Sequence, residues 1–152
     1  MSFGGGQFPG GGQIPGGRQM TVAAATPGIY TAGSTGTGQA AIINESGTVN
    51  GASAPESRGS TVSIYLTGAG VLTPAGRTGG LGTADNRVTA PVTVSIGGQD
   101  AVVTYAGAAP SALQGLYQIN AVVPSNVNAG SAPVQVTVNG VASQANVTMM
   151  LQ

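Results

Sequence analysis

An all-β fold is what this chain predicts, on three observations. Apolar and polar residues alternate at period two in several stretches, the helical period is missing throughout, and glycine and proline signals separate the alternating runs. In chain order the runs lie near 21–25, 38–44, 60–67, 91–96, 100–105, 115–123, 132–138 and 141–151. In 60–67, Val62, Ile64 and Leu66 alternate with Ser63, Tyr65 and Thr67. In 91–96, Val92, Val94 and Ile96 alternate with Thr93 and Ser95, and in 132–138, Val134, Val136 and Val138 alternate with Gln135 and Thr137.

Turn chemistry links the runs. Gly97-Gly98 joins 91–96 to 100–105, and Asn139-Gly140 joins 132–138 to 141–151; the second is a strong signal for a two-residue type I′ hairpin. Asn50-Gly51 and Pro55, Pro74, Pro91, Pro110, Pro124 and Pro133 mark loops or strand starts, where a missing N–H does no harm. The longest stretch without a pattern, 68–90, is expected to be the most flexible loop. Seven to eight strands over about 130 residues predict an immunoglobulin-like antiparallel β-sandwich over residues 22–152.

Residues 1–21 form a second unit, an extended N-terminal arm. Positions 4–21 read GGGQFP, GGGQIP, GGRQMT, a six-residue unit repeated three times with the last copy decayed. Six is a multiple of the strand period and of the polyproline period, so Phe8, Ile14 and Met20 point the same way, roughly 20 Å apart when extended. A glycine-rich arm with evenly spaced anchors suits a segment that lies along another molecule, the other reading being a flexible linker. Phe3, Phe8, Ile14 and Met20 are the candidate subunit-interface residues. Strand addition onto a neighbouring copy is head-to-tail and propagates into a filament.

Composition excludes much chemistry. Cys, His, Lys and Trp are absent, and charged residues make up only 5% of the chain, against about 25% in an average protein. Arg18, Arg58, Arg77 and Arg87 balance Glu45, Glu56, Asp85 and Asp100, so net charge is zero and nothing marks a nucleic-acid partner. No run approaches the length of a membrane span. Met1 leads into glycine rather than a basic and then apolar run, so no signal peptide is read. Without His or Cys there is no Ser–His or Cys–His nucleophile, no ordinary zinc site and no haem or iron–sulfur ligation. Without Lys there is no Schiff base, phosphate loop or Lys–Asn isopeptide bond, so subunits assemble by non-covalent contacts. No cofactor, metal or catalytic residue is expected.

The four acids are read as solvated loop residues or arginine partners rather than a glycosidase pair. Asp85 and Asn86 are the only calcium candidates, in a chain without a calcium-loop motif. Tyr65 alternates out of the Val62, Ile64, Leu66 face and is the ring expected to be exposed; Tyr105 and Tyr117 are expected in the core with satisfied hydroxyls. Asn44-Glu45-Ser46 and Asn146-Val147-Thr148 are the candidate glycosylation sites, Asn146 within a strand pattern.

Six stretches follow one another in a specific order: TPGIYT (26–31), GQAA…N…G (38–47), RGSTVSIYLTGAG (58–70), APVTVSIGGQDAVVTYAGAAP (90–110), GLYQINAVVP (115–124) and APVQVTVNGVASQANVTMMLQ (132–152). Across them the chain resembles the Solibacter-type uncharacterised C-terminal domain family of large exported bacterial proteins, and its second half resembles IPT/TIG immunoglobulin-like modules. The resemblance implies an exported, non-catalytic β-sandwich and brings no binding residues. The resulting expectation is a structural, non-enzymatic subunit of an extracellular or cell-surface bacterial filament. Its partners would be other copies of itself, with glycans as the further candidate. The alternative is an accessory surface adhesion or glycan-binding domain.

Overall fold

The computed structural model describes residues 13–14, 18–19, 26–70, 72–73, 87–110, 112 and 116–152. Within them the protein is all-β, every regular element being a strand. The strands are β1 (Gln13–Ile14), β2 (Arg18–Gln19), β3 (Gly28–Ile29), β4 (Gly38–Gln39), β5 (Ile42–Ile43), β6 (Thr61–Thr67) and β7 (Leu72–Thr73). There follow β8 (Arg87–Val88), β9 (Val92–Ile96), β10 (Gln99–Ala108), β11 (Tyr117–Val122), β12 (Gly130–Val138), β13 (Val141–Ala142) and β14 (Val147–Leu151). Six are five residues or longer; the others are two-residue pieces that complete edges.

Alternation sets which side each strand buries. In β6, Val62, Ile64 and Leu66 are buried while Thr61, Ser63, Tyr65 and Thr67 are half-exposed. β12 buries Ala132, Val134, Val136 and Val138, and β14 buries Val147, Met149 and Leu151. Both two-residue hairpins form where the turn chemistry requires them. Gly97 and Gly98 have φ of 63° and 83°, Asn139 and Gly140 of 51° and 81°. Positive φ at both central residues gives the primed twist that matches the flanking strands.

Twelve strands form one curled mixed sheet in the order β3-β6-β11-β10-β9-β12-β14-β4. β5 also joins β6, β13 joins β12, and β7 reaches β10 through β8. Two features curl it. The first lies within β10, whose residues Gln99–Ala101 pair with β9 and whose remainder pairs with β11. A register shift between Val103 and Tyr105 leaves Thr104 as the extra residue of a bulge, which bends the strand. The second is the crossing at 38–43, where β4 lies parallel to β14 and β5 then pairs antiparallel with β6. The inward faces thereby share one core, with Ile42, Ile64, Leu66, Ile119, Val94, Ile96, Val136 and Met149 among its members.

Several boundaries differ from expectation for reasons of partner geometry. The run 38–44 is two short strands, because the chain changes partner from β14 to β6 at Ala40–Ala41. The run 141–151 breaks at 143–146, where Ser143 turns inward. The expected loop 68–90 begins and ends in paired strand, Leu72 opposite Val88 and Thr73 opposite Arg87. The expected strand 21–25 lies outside the described residues.

Candidate functional site

The described part of the arm pairs with itself instead of running extended as expected, so Ile14 does not lie on one straight line with the anchors before and after it. β1 and β2 pair antiparallel, Gln13 with Gln19 and Ile14 with Arg18, as a separate two-stranded sheet with no pairing to the twelve-stranded one. Of the candidate interface residues, Ile14 lies in β1; Phe3, Phe8 and Met20 lie outside the described residues.

The domain finishes its edges with side-chain amides. Alternation in an antiparallel pair leaves every second residue of an edge strand with its N–H and C=O facing outward. On β3 that residue is Ile29, and the Gln144 amide takes both groups. Ile29 N–H donates to Gln144 Oε1 (2.9 Å), and Gln144 Nε2 donates to the Ile29 carbonyl (2.7 Å). On β14 it is Met150, and Asn50 does the same. Met150 N–H donates to Asn50 Oδ1 (2.7 Å), and Asn50 Nδ2 donates to the Met150 carbonyl (2.9 Å). Ser143 completes β12 from within, its Oγ accepting from Val136 N–H at 2.9 Å. Proteins commonly blunt sheet edges with lysine; a chain without lysine uses carboxamides that imitate a peptide group.

Around Asn50 lies a buried polar cluster. Asn50 Nδ2 also donates to Asn44 Oδ1 (2.9 Å), and Asn50 Oδ1 accepts from Gln39 Nε2 (2.9 Å). Glu56, expected as a solvated loop acid, is buried instead. Its carboxylate accepts Glu45 N–H (2.6 Å) and Ser57 N–H (2.9 Å), while Glu45 Oε1 accepts Thr61 N–H (2.7 Å). These two acids therefore hold loop backbone, and neither pairs with an arginine among the described residues. Asp100 is exposed on β10; Asp85 and Asn86 lie outside the described residues. Among the described residues no three metal-ligating side chains come together.

The two sequons differ in presentation. Asn44 is 6% exposed and spends both amide hydrogens, on Thr48 Oγ1 (3.1 Å) and the Ala54 carbonyl (2.8 Å), so the folded domain offers no free amide there. Asn146 is exposed with φ 64°, in the bend before β14 rather than within a strand.

The outer face of β3, β6, β11 and β10 carries the remaining polar groups of interest. Strand register sets Tyr30, Tyr65, Gln118, Gly107 and Arg87 in one transverse row, and Ile43, Ser63, Asn120 and Tyr105 in the next. Tyr65 faces outward as expected. Tyr30, 45% exposed, stands beside it, its N–H donating to the Tyr65 carbonyl at 3.0 Å. Tyr105 departs from expectation because the bulge at Thr104 reverses the strand's phase. Ala101 and Val103 pack against the core, and Tyr105 then turns outward. Its hydroxyl donates to the Ala108 carbonyl (2.7 Å), and the Arg87 guanidinium lies 4.5 Å from its ring centroid. Tyr117 does pack against the core, with its hydroxyl donating to the Gly70 carbonyl at 2.6 Å. Sequence reasoning missed Tyr30, Gln118 and Asn120. Alternation in 115–123 places the last two on one face, but only register brings the first beside Tyr65.

Where β10 leaves β11 to join β9, an open groove forms, lined by Gly59, Asp100, Val102, Val122, Pro124 and Asn126. Asp100 sits opposite Ser95, one place beyond the pair that closes the hairpin, so its N–H and C=O point away from β9 toward this fork. No helix among the described residues is long and apolar enough to cross a membrane. Compared with protein-family models, curated proteins and solved structures, the chain matches none.

Proposed function

We propose that this protein is a structural subunit of an extracellular bacterial filament, assembling non-covalently and head-to-tail through its N-terminal arm. One observation carries the reading: the described arm segments pair only with each other, while the domain closes its sheet with its own strands. Arm segments that pair with no strand of their own domain among the described residues are free to pair with a second copy. The hexad repeat supplies Phe8, Ile14 and Met20 as anchors, evenly spaced once the arm opens out of its β1–β2 hairpin to lie along the neighbour, and the glycines allow close backbone approach. The fork between β10 and β11 supplies an acceptor of the right kind, an outward-facing backbone segment beside the apolar walls of Val102, Val122 and Pro124. The sparse charge fits a surface covered by neighbours. The resemblance to domains of exported proteins supports a location outside the cell.

Deletion of residues 1–19 tests this. The truncated protein is expected to keep the thermal unfolding transition of the full chain and to appear as single particles by negative-stain microscopy, where the full chain forms fibres. Fibres that persist without the arm refute the proposal.

A further inference from the structure

We infer that the outer face of β3, β6 and β11 is a binding strip for a neutral saccharide chain, with Tyr30 and Tyr65 as stacking rings and Gln118 and Asn120 as hydroxyl-binding groups. The inference is independent of the arm. Tyr30 and Tyr65 are directly opposite on adjacent strands, so their side chains leave the sheet about 5 Å apart on the same face. Next in the row stands Gln118, and two residues along the same strand, diagonal to Tyr65, Asn120, giving a strip three strands and roughly 10 Å wide.

The amides are held but not used up. Ser63 Oγ donates to Asn120 Oδ1 (3.0 Å), and Gln118 Nε2 donates to the same oxygen (2.8 Å). That network fixes both side chains. Among the described residues, nothing accepts from Asn120 Nδ2 and nothing donates to Gln118 Oε1. One oriented donor and one oriented acceptor therefore face solvent beside two rings.

This combination matches the two surfaces of a pyranose. Its C–H face stacks on an aromatic ring, and its rim of hydroxyls both donates and accepts, as carboxamides do. Charge narrows the class. Among the described residues the strip carries no carboxylate: Glu45 and Glu56 are committed to loop backbone, and Asp100 lies at the opposite end of β10. Arg87 lies over Tyr105 at the margin. The neighbours of the rings are Ser63, Thr67, Gln118 and Asn120, with a half-buried Ile43 beyond, a polar rim that suits a hydroxyl-rich ligand.

The test is isothermal titration of the full chain with cellohexaose, with the hexamer of N-acetylglucosamine, and with polygalacturonate as the anionic comparator. Saturable binding of a neutral hexamer is expected. Tyr65→Ala and Tyr30→Ala should each weaken it about tenfold, Gln118→Ala and Asn120→Ala roughly fivefold, and Tyr65→Phe should retain it, since the ring rather than the hydroxyl stacks. Thermal midpoints of all variants separate lost binding from lost folding, and the exposed Tyr30 covers the case in which Tyr65→Ala unfolds. Three results overturn the inference: no saturable binding by the unaltered protein, binding of polygalacturonate alone, or affinity that survives both tyrosine truncations. Loss of fibres in Tyr65→Ala without any saccharide binding overturns it as well, and gives the face to a second copy.

Discussion

Asn50→Ala removes more than its small volume implies. The residue is 2% exposed, and its amide makes four hydrogen bonds: two accepted by Oδ1, from Met150 N–H and Gln39 Nε2, and two donated by Nδ2, to the Met150 carbonyl and Asn44 Oδ1. Each is worth about 1 kcal/mol net, and an orphaned buried group adds its own desolvation cost. The Met150 carbonyl keeps Glu56 N–H as a donor at 3.0 Å, whereas Met150 N–H is left without an acceptor. The expected loss is about 4 kcal/mol, a large fraction of the stability of an ordinary domain. For a domain of this size it lowers the thermal midpoint by about 12–20 °C. Urea unfolding followed by circular dichroism, with thermal melts in parallel, measures it. Asn50→Asp keeps the acceptors but aims a carboxylate oxygen at two other oxygens. It should be at least as damaging at neutral pH and partly restored in acid, where the protonated group donates again. If Asn50→Ala costs less than about 1 kcal/mol, water replaces the amide at no penalty and the account of edge capping is wrong.

Two further outcomes follow from the same chemistry. Gln144→Ala uncovers both polar groups of Ile29; it should cost about 1–3 kcal/mol in urea unfolding and raise light scattering, as an open strand edge promotes association. Gln144→Lys should restore solubility without restoring stability. Burial raises the Tyr117 phenol above the ordinary tyrosine value. The folded protein thus holds that proton to higher pH than the unfolded chain, and the contribution is complete below about pH 10 and lost as pH rises through the raised value. Tyr117→Phe should lose about 1 kcal/mol at neutral pH with the Gly70 hydrogen bond, and should flatten the fall in urea midpoint above pH 10.

What the sequence made legible was everything governed by local rules. The alternation of Val62, Ile64 and Leu66 reports which side is buried without knowledge of the partner strand. Asn139-Gly140 and Gly97-Gly98 specify their turns through backbone sterics alone. The remainder depends on residues far apart in the chain. Gln144 meets Ile29 across 115 positions and Asn50 meets Met150 across 100; nothing near Asn50 shows that a distant strand lacks a neighbour. Tyr105 leaves its expected face because one extra residue, Thr104, inverts the side chains after it, and a bulge has no strong local signature. Glu56 reads as a surface acid until the backbone N–H groups around it are counted. The candidate binding strip was legible only at Tyr65, since its other members come from two other strands, β3 and β11.

The parallel pairing of β4 with β14 bears on how the protein would respond to tension. Load entering from the arm passes β3 before it reaches Gly38–Gln39, while load from the carboxyl end travels along β14 to Val147–Thr148. Because these two segments run in the same direction, opposed pulling slides them lengthwise past each other. The hydrogen bonds between them, including Gly38 N–H to the Asn146 carbonyl (2.7 Å) and Ala40 N–H to the Thr148 carbonyl (2.8 Å), must then fail together rather than one at a time. A module wired in this way resists stretching better than its equilibrium stability alone implies, a property that would suit the proposed filament.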